Sequence, residues 1–142
     1  VKRLLILNGP NLNMLGRREP EIYGSQTLGD IEKACTEKAA ELGLSIEFRQ
    51  SNHEGELIDW IQSSDNFNGI IINAAGYTHT SVAIHDALRL LSVPIIEVHI
   101  SSPKERENFR HFSFIEPLAA KVIAGKGLQG YLEAIETLSQ EL

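Results

Sequence analysis

Two groups of residues in this 142-residue chain have the types and spacing for proton-transfer chemistry. The first is GRREPEIYG, residues 16–24, in which Arg17 and Arg18 precede Tyr23 between two glycines. A phenol of pKa near 10 serves as a base at neutral pH only if that value falls by about 3, which takes ~4 kcal/mol of phenolate stabilisation. A neighbouring guanidinium supplies this without competing for the proton, because arginine stays charged. Without the arginines Tyr23 would read as a packing anchor. The second group is Glu97 and His99 in IIEVHISS. Side chains two apart in a strand share a face, so the carboxylate can orient the imidazole and raise its basicity, which suits a general acid. A purely structural hydrogen bond is the alternative.

Apolar runs bounded by turn residues must position these groups. They fall at Arg3–Leu7, Leu44–Arg49, Gly69–Asn73 and Ile95–His99, with a weaker run near Phe112–Ile115. Between them the period is helical: Thr27–Leu42, Gly55–Asp65, Ser81–Leu91, a short turn near Lys104–Asn108, and Gly127–Gln140. Thr27 with Asp30 forms a variant capping box, and Gly43 suits a C-cap. The alternation predicts an α/β fold, a doubly wound five-stranded parallel sheet of flavodoxin-like strand order 2-1-3-4-5, in one domain spanning 1–142. Ligands of such sheets bind beyond the carboxyl ends of the strands where the order reverses. The candidate residues follow Leu7, Asn73 and His99, at those ends. The connection holding Arg18 and Tyr23 is far longer than the roughly 2–6 residues of ordinary βα loops, which points to a lid hinged at Gly16 and Gly24, with a disordered stretch as the alternative.

The loop after the third strand, NAAGYTHTSVAIHDAL, places Asn73 at the strand end and hydroxyls at Thr78, Thr80 and Ser81 near a helix N-terminus that favours anions. His79 reads equally as a cap on a buried carbonyl or as a ligand contact. His85 and Asp86 lie one turn into the helix, where a solvated face is the usual fate. After the fourth strand, Ile100, Ser101 and Ser102 turn and expose backbone N–H groups to a carboxylate. Arg106 and Arg110, four apart, could close over an anion if the segment is helical.

Composition narrows the classes. A formal charge of -6 and a pI near 5.3 argue against nucleic-acid binding, which requires a basic face. A single cysteine, Cys35, leaves no intrachain disulfide or multi-cysteine zinc site and reads as a small buried or half-buried helix residue in a reduced, cytoplasmic protein. No apolar run approaches the ~18 residues of a membrane helix.

Taken together, NGPNLNMLGRREPEIYG, INAAGYTHTSVAIHDA and IEVHISSPKERENFRHFS resemble the signatures of type II 3-dehydroquinate dehydratases, and the likeness runs on to the closing GKGLQGYLEAI. The resemblance implies a flavodoxin-like hydro-lyase that works without metal or cofactor, commonly as a dodecamer of four trimers. It would convert 3-dehydroquinate to 3-dehydroshikimate in aromatic biosynthesis or quinate catabolism. By the same resemblance, Tyr23 is the base at C2, Arg18 stabilises its phenolate, and His99, oriented by Glu97, protonates the departing C1 hydroxyl. Asn11 holds a water that stabilises the intervening enolate. Asn73, His79 and Arg110 bind ring hydroxyls, Ile100 and Ser101 hold the carboxylate, and Asp86 reaches the site of a neighbouring subunit. Met14 and His85 depart from the family's usual leucine and arginine.

Two other classes fit parts of the pattern. A metal-assisted hydrolase could draw on His79, Asp86, Glu97 and His99, but HExxH is absent. A phosphate-accepting signalling module of this fold needs carboxylates after its first strand, where this chain has Asn8, Gly9, Pro10 and Asn11.

Overall fold

The apolar runs become five parallel strands, β1 (Arg3–Asn8), β2 (Ser45–Gln50), β3 (Gly69–Asn73), β4 (Ile95–His99) and β5 (Lys121–Ala124). The computed structural model describes residues 1–17, 21 and 25–142. The strands lie in the order β2-β1-β3-β4-β5, the flavodoxin-like order predicted. Among the described residues, four α-helices cover the sheet: α1 (Leu28–Glu41), α2 (Glu54–Gln62), α3 (Val82–Arg89) and α4 (Leu128–Glu141).

Strand alternation sorts the core into two layers. Leu4, Ile6, Ile71, Ile96, Val98 and Ile123 face one side and pack with Ile31 and Cys35 of α1 and Tyr131, Ala134, Ile135 and Leu138 of α4. Leu5, Leu7, Ile70, Ile72 and Ile95 face the other, against Leu57 and Ile61 of α2 and Ile84, Ala87 and Leu88 of α3. Central strands covered on both faces carry no polar alternation, which is why these runs read as continuous apolar segments. Trp60 is half-buried and packs at the edge of the second layer. α1 begins at the predicted capping box: Asp30 N–H donates to Thr27 Oγ1 (3.1 Å) and Thr27 N–H to Asp30 Oδ2 (3.0 Å). Burial pushes the Cys35 thiol up to about 12, with Glu32 adding to the effect, so the thiol is inert.

The fifth strand is not at Phe112–Ile115. There the backbone is spent on other elements: Phe114 N–H donates to Thr78 O (2.9 Å), and Phe112 O accepts from the His79 ring (2.8 Å). Only Ile115 of that stretch enters the core. The edge position goes instead to β5, where Ile123 alone is buried and Lys121 and Val122 face solvent. An edge strand contributing one core side chain carries little apolar signal, and its lysine belongs to edges rather than centres. The expected helical turn near Lys104–Asn108 is two 3-10 turns, Pro103–Glu105 and Asn108–Arg110, so Arg106 and Arg110 do not share a helical face.

At the switch point between β1 and β3 the two loops nearly touch. Gly9 N–H donates to Asn73 O (2.8 Å), and a Cβ on Gly9 would stand 2.3 Å from Ala74 O and 2.6 Å from Ala74 C. Both obstructing atoms are backbone and cannot rotate away. Gly9→Ala is expected to cost about 1–3 kcal/mol through overpacking, seen as a drop of several degrees in the thermal midpoint; an unchanged midpoint would show that the loops can part freely.

Candidate active site

Beyond the carboxyl ends of β1, β3 and β4 lies a cavity of about 190 Å³. Asn11, Asn73, His79, His99, Ile100, Ser101 and Arg110 all line it, joined by Arg106. Three separate connections therefore deliver their polar residues to one place. Arg18 and Tyr23, with most of the predicted lid, lie outside the described residues. The two described ends of that connection meet: a Cβ on Gly16, whose φ is +86°, would lie 3.2 Å from Ser25 O.

Glu97 and His99 pair as their spacing predicts. His99 Nε2 lies 2.5 Å from Glu97 Oε2, with Glu97 fully buried and His99 7% exposed. Glu97 does not line the first cavity. It stands behind His99 and borders a second cavity of about 230 Å³.

His79 turns out to be both a cap and a cavity residue. Its Nδ1 meets Phe112 O at 2.8 Å, which assigns the ring hydrogen to Nδ1 because a carbonyl only accepts. Burial holds the His79 pKa below the ordinary histidine value, assisted by the charges of His99 and Arg110 and opposed by the Phe112 carbonyl and Glu97. The neutral ring keeps Nε2 as an acceptor for a hydroxyl. Because folding favours neutral His79, its contribution to stability is full above the unfolded-state value near 6.5 and is lost as pH falls below that towards the lower folded value. On going from about pH 7.5 to 5.5, His79→Gln should lose less of its thermal midpoint than the parent; equal losses would refute the assignment.

Asn11 sits in the left-handed region (φ 71°), with its N–H held by Asn52 Oδ1 at 3.0 Å. Asparagine tolerates that conformation better than most residues. Asn73 is fixed from below: its Nδ2 donates to Tyr131 Oη (2.8 Å), Tyr131 donates to Asn8 Oδ1 (2.7 Å), and Asn8 Nδ2 donates to Arg49 O (3.0 Å). Burial pushes the Tyr131 phenol well above its ordinary value, so it remains a donor within this chain of bonds. Ser101 Oγ accepts from Arg106 (3.3 Å), and Arg110 Nε donates to Glu107 Oε1 (2.8 Å). Asp86 is exposed on α3, outside the lining of either cavity. Among the described residues no group of three His, Cys, Asp or Glu comes together as a metal site. None of the described helices is long and apolar enough to cross a membrane.

A family model for Dehydroquinase class II matches residues 2–139. The chain belongs to the class II dehydroquinases. It is 52% identical over 136 residues to 3-dehydroquinate dehydratase 1 of Agrobacterium fabrum, covering 95% of this chain and 94% of that protein. Among solved structures, the type II dehydroquinase of Propionibacterium acnes superposes with a TM-score of 0.95 at 44% identity, covering 99% of this chain and 97% of that one. The type II dehydroquinase of Butyrivibrio crossotus gives 0.94 at 46% identity, covering 96% and 97%. As a member of this family the chain is an enzyme, a type II 3-dehydroquinate dehydratase.

No sequence signal marks Tyr131, Asn52 or Ser113 of this dehydroquinase as site residues. Tyr131, inside the closing GKGLQGYLEAI, and Asn52, in the loop after β2, reach Asn73 and Asn11 only through the fold. Ser113 was hidden inside a run read as a strand.

Proposed function

We propose that this dehydroquinase dehydrates 3-dehydroquinate to 3-dehydroshikimate by anti elimination through an enolate, with a Tyr23 phenolate as base and His99 as acid. The phenolate takes a proton from C2, and the C2–H electron pair moves into the ketone to give an enolate. The enolate then collapses: its electrons form the C1–C2 double bond while the C1 hydroxyl leaves as water with the His99 proton. The substrate's own ketone is the electron sink, so no cofactor is needed to carry the charge. Arg18 stabilises the phenolate, and Asn11 holds a water against the enolate oxygen.

The observation that carries this reading is the buried Glu97–His99 pair opening onto a cavity lined by Asn11, Asn73, His79, Ile100, Ser101 and Arg110. Asn73, His79 and Arg110 bind ring hydroxyls, His79 through its accepting Nε2, while Ile100 and Ser101 hold the carboxylate. The other two of the three tyrosines support Tyr23 as the base. Tyr131 is fully buried with its hydrogen given to Asn8, and Tyr77 gives its own to Asn52 O (2.7 Å). Asp86, exposed and away from its own chain's cavity, completes the site of a neighbouring subunit in a dodecamer of four trimers.

Mixing the purified protein with 3-dehydroquinate and following ultraviolet absorbance tests the reaction, because the product is a conjugated enone and the substrate is not. Absorbance should rise; a flat trace across neutral and mildly alkaline pH would sink the assignment.

A further inference from the structure

Ser113 makes three hydrogen bonds that together use every position its hydroxyl has. Its oxygen accepts from the backbone N–H of Ile115 (3.1 Å) and of Glu116 (3.1 Å). A serine hydroxyl has two acceptor positions and one hydrogen, so the hydrogen alone remains. It points to Glu97 Oε2, 2.7 Å away. That oxygen is the one paired with His99 Nε2.

The segment around Ser113 cannot easily move. Ile115 is fully buried, Phe114 N–H is bound to Thr78 O at 2.9 Å, and Phe114 O is met by His85 Nδ1 at 2.5 Å. Phe112 O holds His79 on the other side. Each main-chain anchor lies within two residues of the hydroxyl, so Ser113 is a fixed donor rather than a rotating one.

We infer that Ser113 is a positioning residue for the dehydration: it locks the Glu97 carboxylate so that His99 must present its hydrogen from Nε2 to Glu97, leaving Nδ1 as the nitrogen that handles the substrate's proton. With one lone pair of Oε2 taken by Ser113, the oxygen meets His99 as an acceptor, and two acceptors cannot face each other. Without the Ser113 bond Glu97 can turn about its last torsion, which is broad and soft, and the imidazole loses its fixed direction. The inference rests on the reading of His99 as the acid.

A double-mutant cycle between Ser113→Ala and Glu97→Gln tests it, scored on kcat and KM for 3-dehydroquinate. Ser113→Ala should lower kcat about tenfold, the effect of losing a hydrogen bond to a charged group, with KM changing less than about twofold. Ser113→Thr, which keeps the hydroxyl, should restore most of kcat. In the Glu97→Gln background Ser113→Ala should add little. If the two losses multiply, or if Ser113→Ala changes only KM or thermal stability, Ser113 merely caps the turn at Glu116 and the inference is overturned. If Glu97→Gln itself keeps full kcat, nothing passes through the carboxylate and the inference is overturned, whereas failure of the acid assignment shows separately as full kcat in His99→Ala. Should Ser113→Ala not fold, Ser113→Cys preserves the shape with a far weaker donor and should lose kcat in the same direction; full kcat there would overturn the inference.

Discussion

Tyr23→Phe is expected to lower kcat by about 10²–10⁴-fold, the range assigned to a positioned general base, while KM changes little. This is ~3–5 kcal/mol of transition-state stabilisation at 1.36 kcal/mol per tenfold. The reason is chemical, since phenylalanine keeps the ring but has no group to accept the C2 proton. A second readout separates base from binding. In deuterated water an active enzyme exchanges the C2 hydrogen of its substrate with solvent, and Tyr23→Phe should lose this exchange together with dehydration. A variant that still exchanges C2 at the parent's rate would exclude Tyr23 as the base.

His99→Ala should fail in a different way. Dehydration should again fall by about 10²–10⁴-fold for loss of a general acid, but the first proton transfer does not involve His99. C2 exchange should therefore persist while product formation stops, because the enolate still forms and returns. Loss of both at once would mean that His99 acts in the first step and would reverse the assigned order. His99→Ala also leaves Glu97 Oε2 with Ser113 as its remaining partner in a fully buried site. Its stability should fall by the ~1–3 kcal/mol typical of a buried polar group losing a bond, which lowers the thermal midpoint, so kinetics need to be measured well below the new midpoint.

Comparing the two variants divides the proposed mechanism between its halves. Ser113→Ala belongs with His99→Ala: it should slow product formation more than exchange, because its effect passes through Glu97 to the acid.

Much of the site was legible in the chain itself because its chemistry is local. Glu97 and His99 are two apart, and the period of a strand alone puts them on one face. Asn11, Asn73 and His99 each follow an apolar run, and the topology of doubly wound sheets sends all such ends to one edge. The central strands were equally readable, since a strand buried on both faces must be apolar throughout. The edge was not. β5 buries one side chain, while Phe112–Ile115 shows more apolar character yet serves to brace Thr78, His79, His85 and Glu97.

What the sequence determined by itself was the α/β architecture, its strand order, and the residue types gathered at the ends of β1, β3 and β4. Tertiary structure alone decided how those residues are held. Tyr131 lies 58 positions from Asn73 and 123 from Asn8, yet its hydroxyl joins the two. Ser113 is 16 positions from Glu97 and fixes which oxygen meets His99. Periodicity reports which face a side chain occupies, and that face is set by the backbone a few residues either way. A hydrogen bond has an angular and distance tolerance of a few tenths of an ångström, and only the packed arrangement of distant elements meets it.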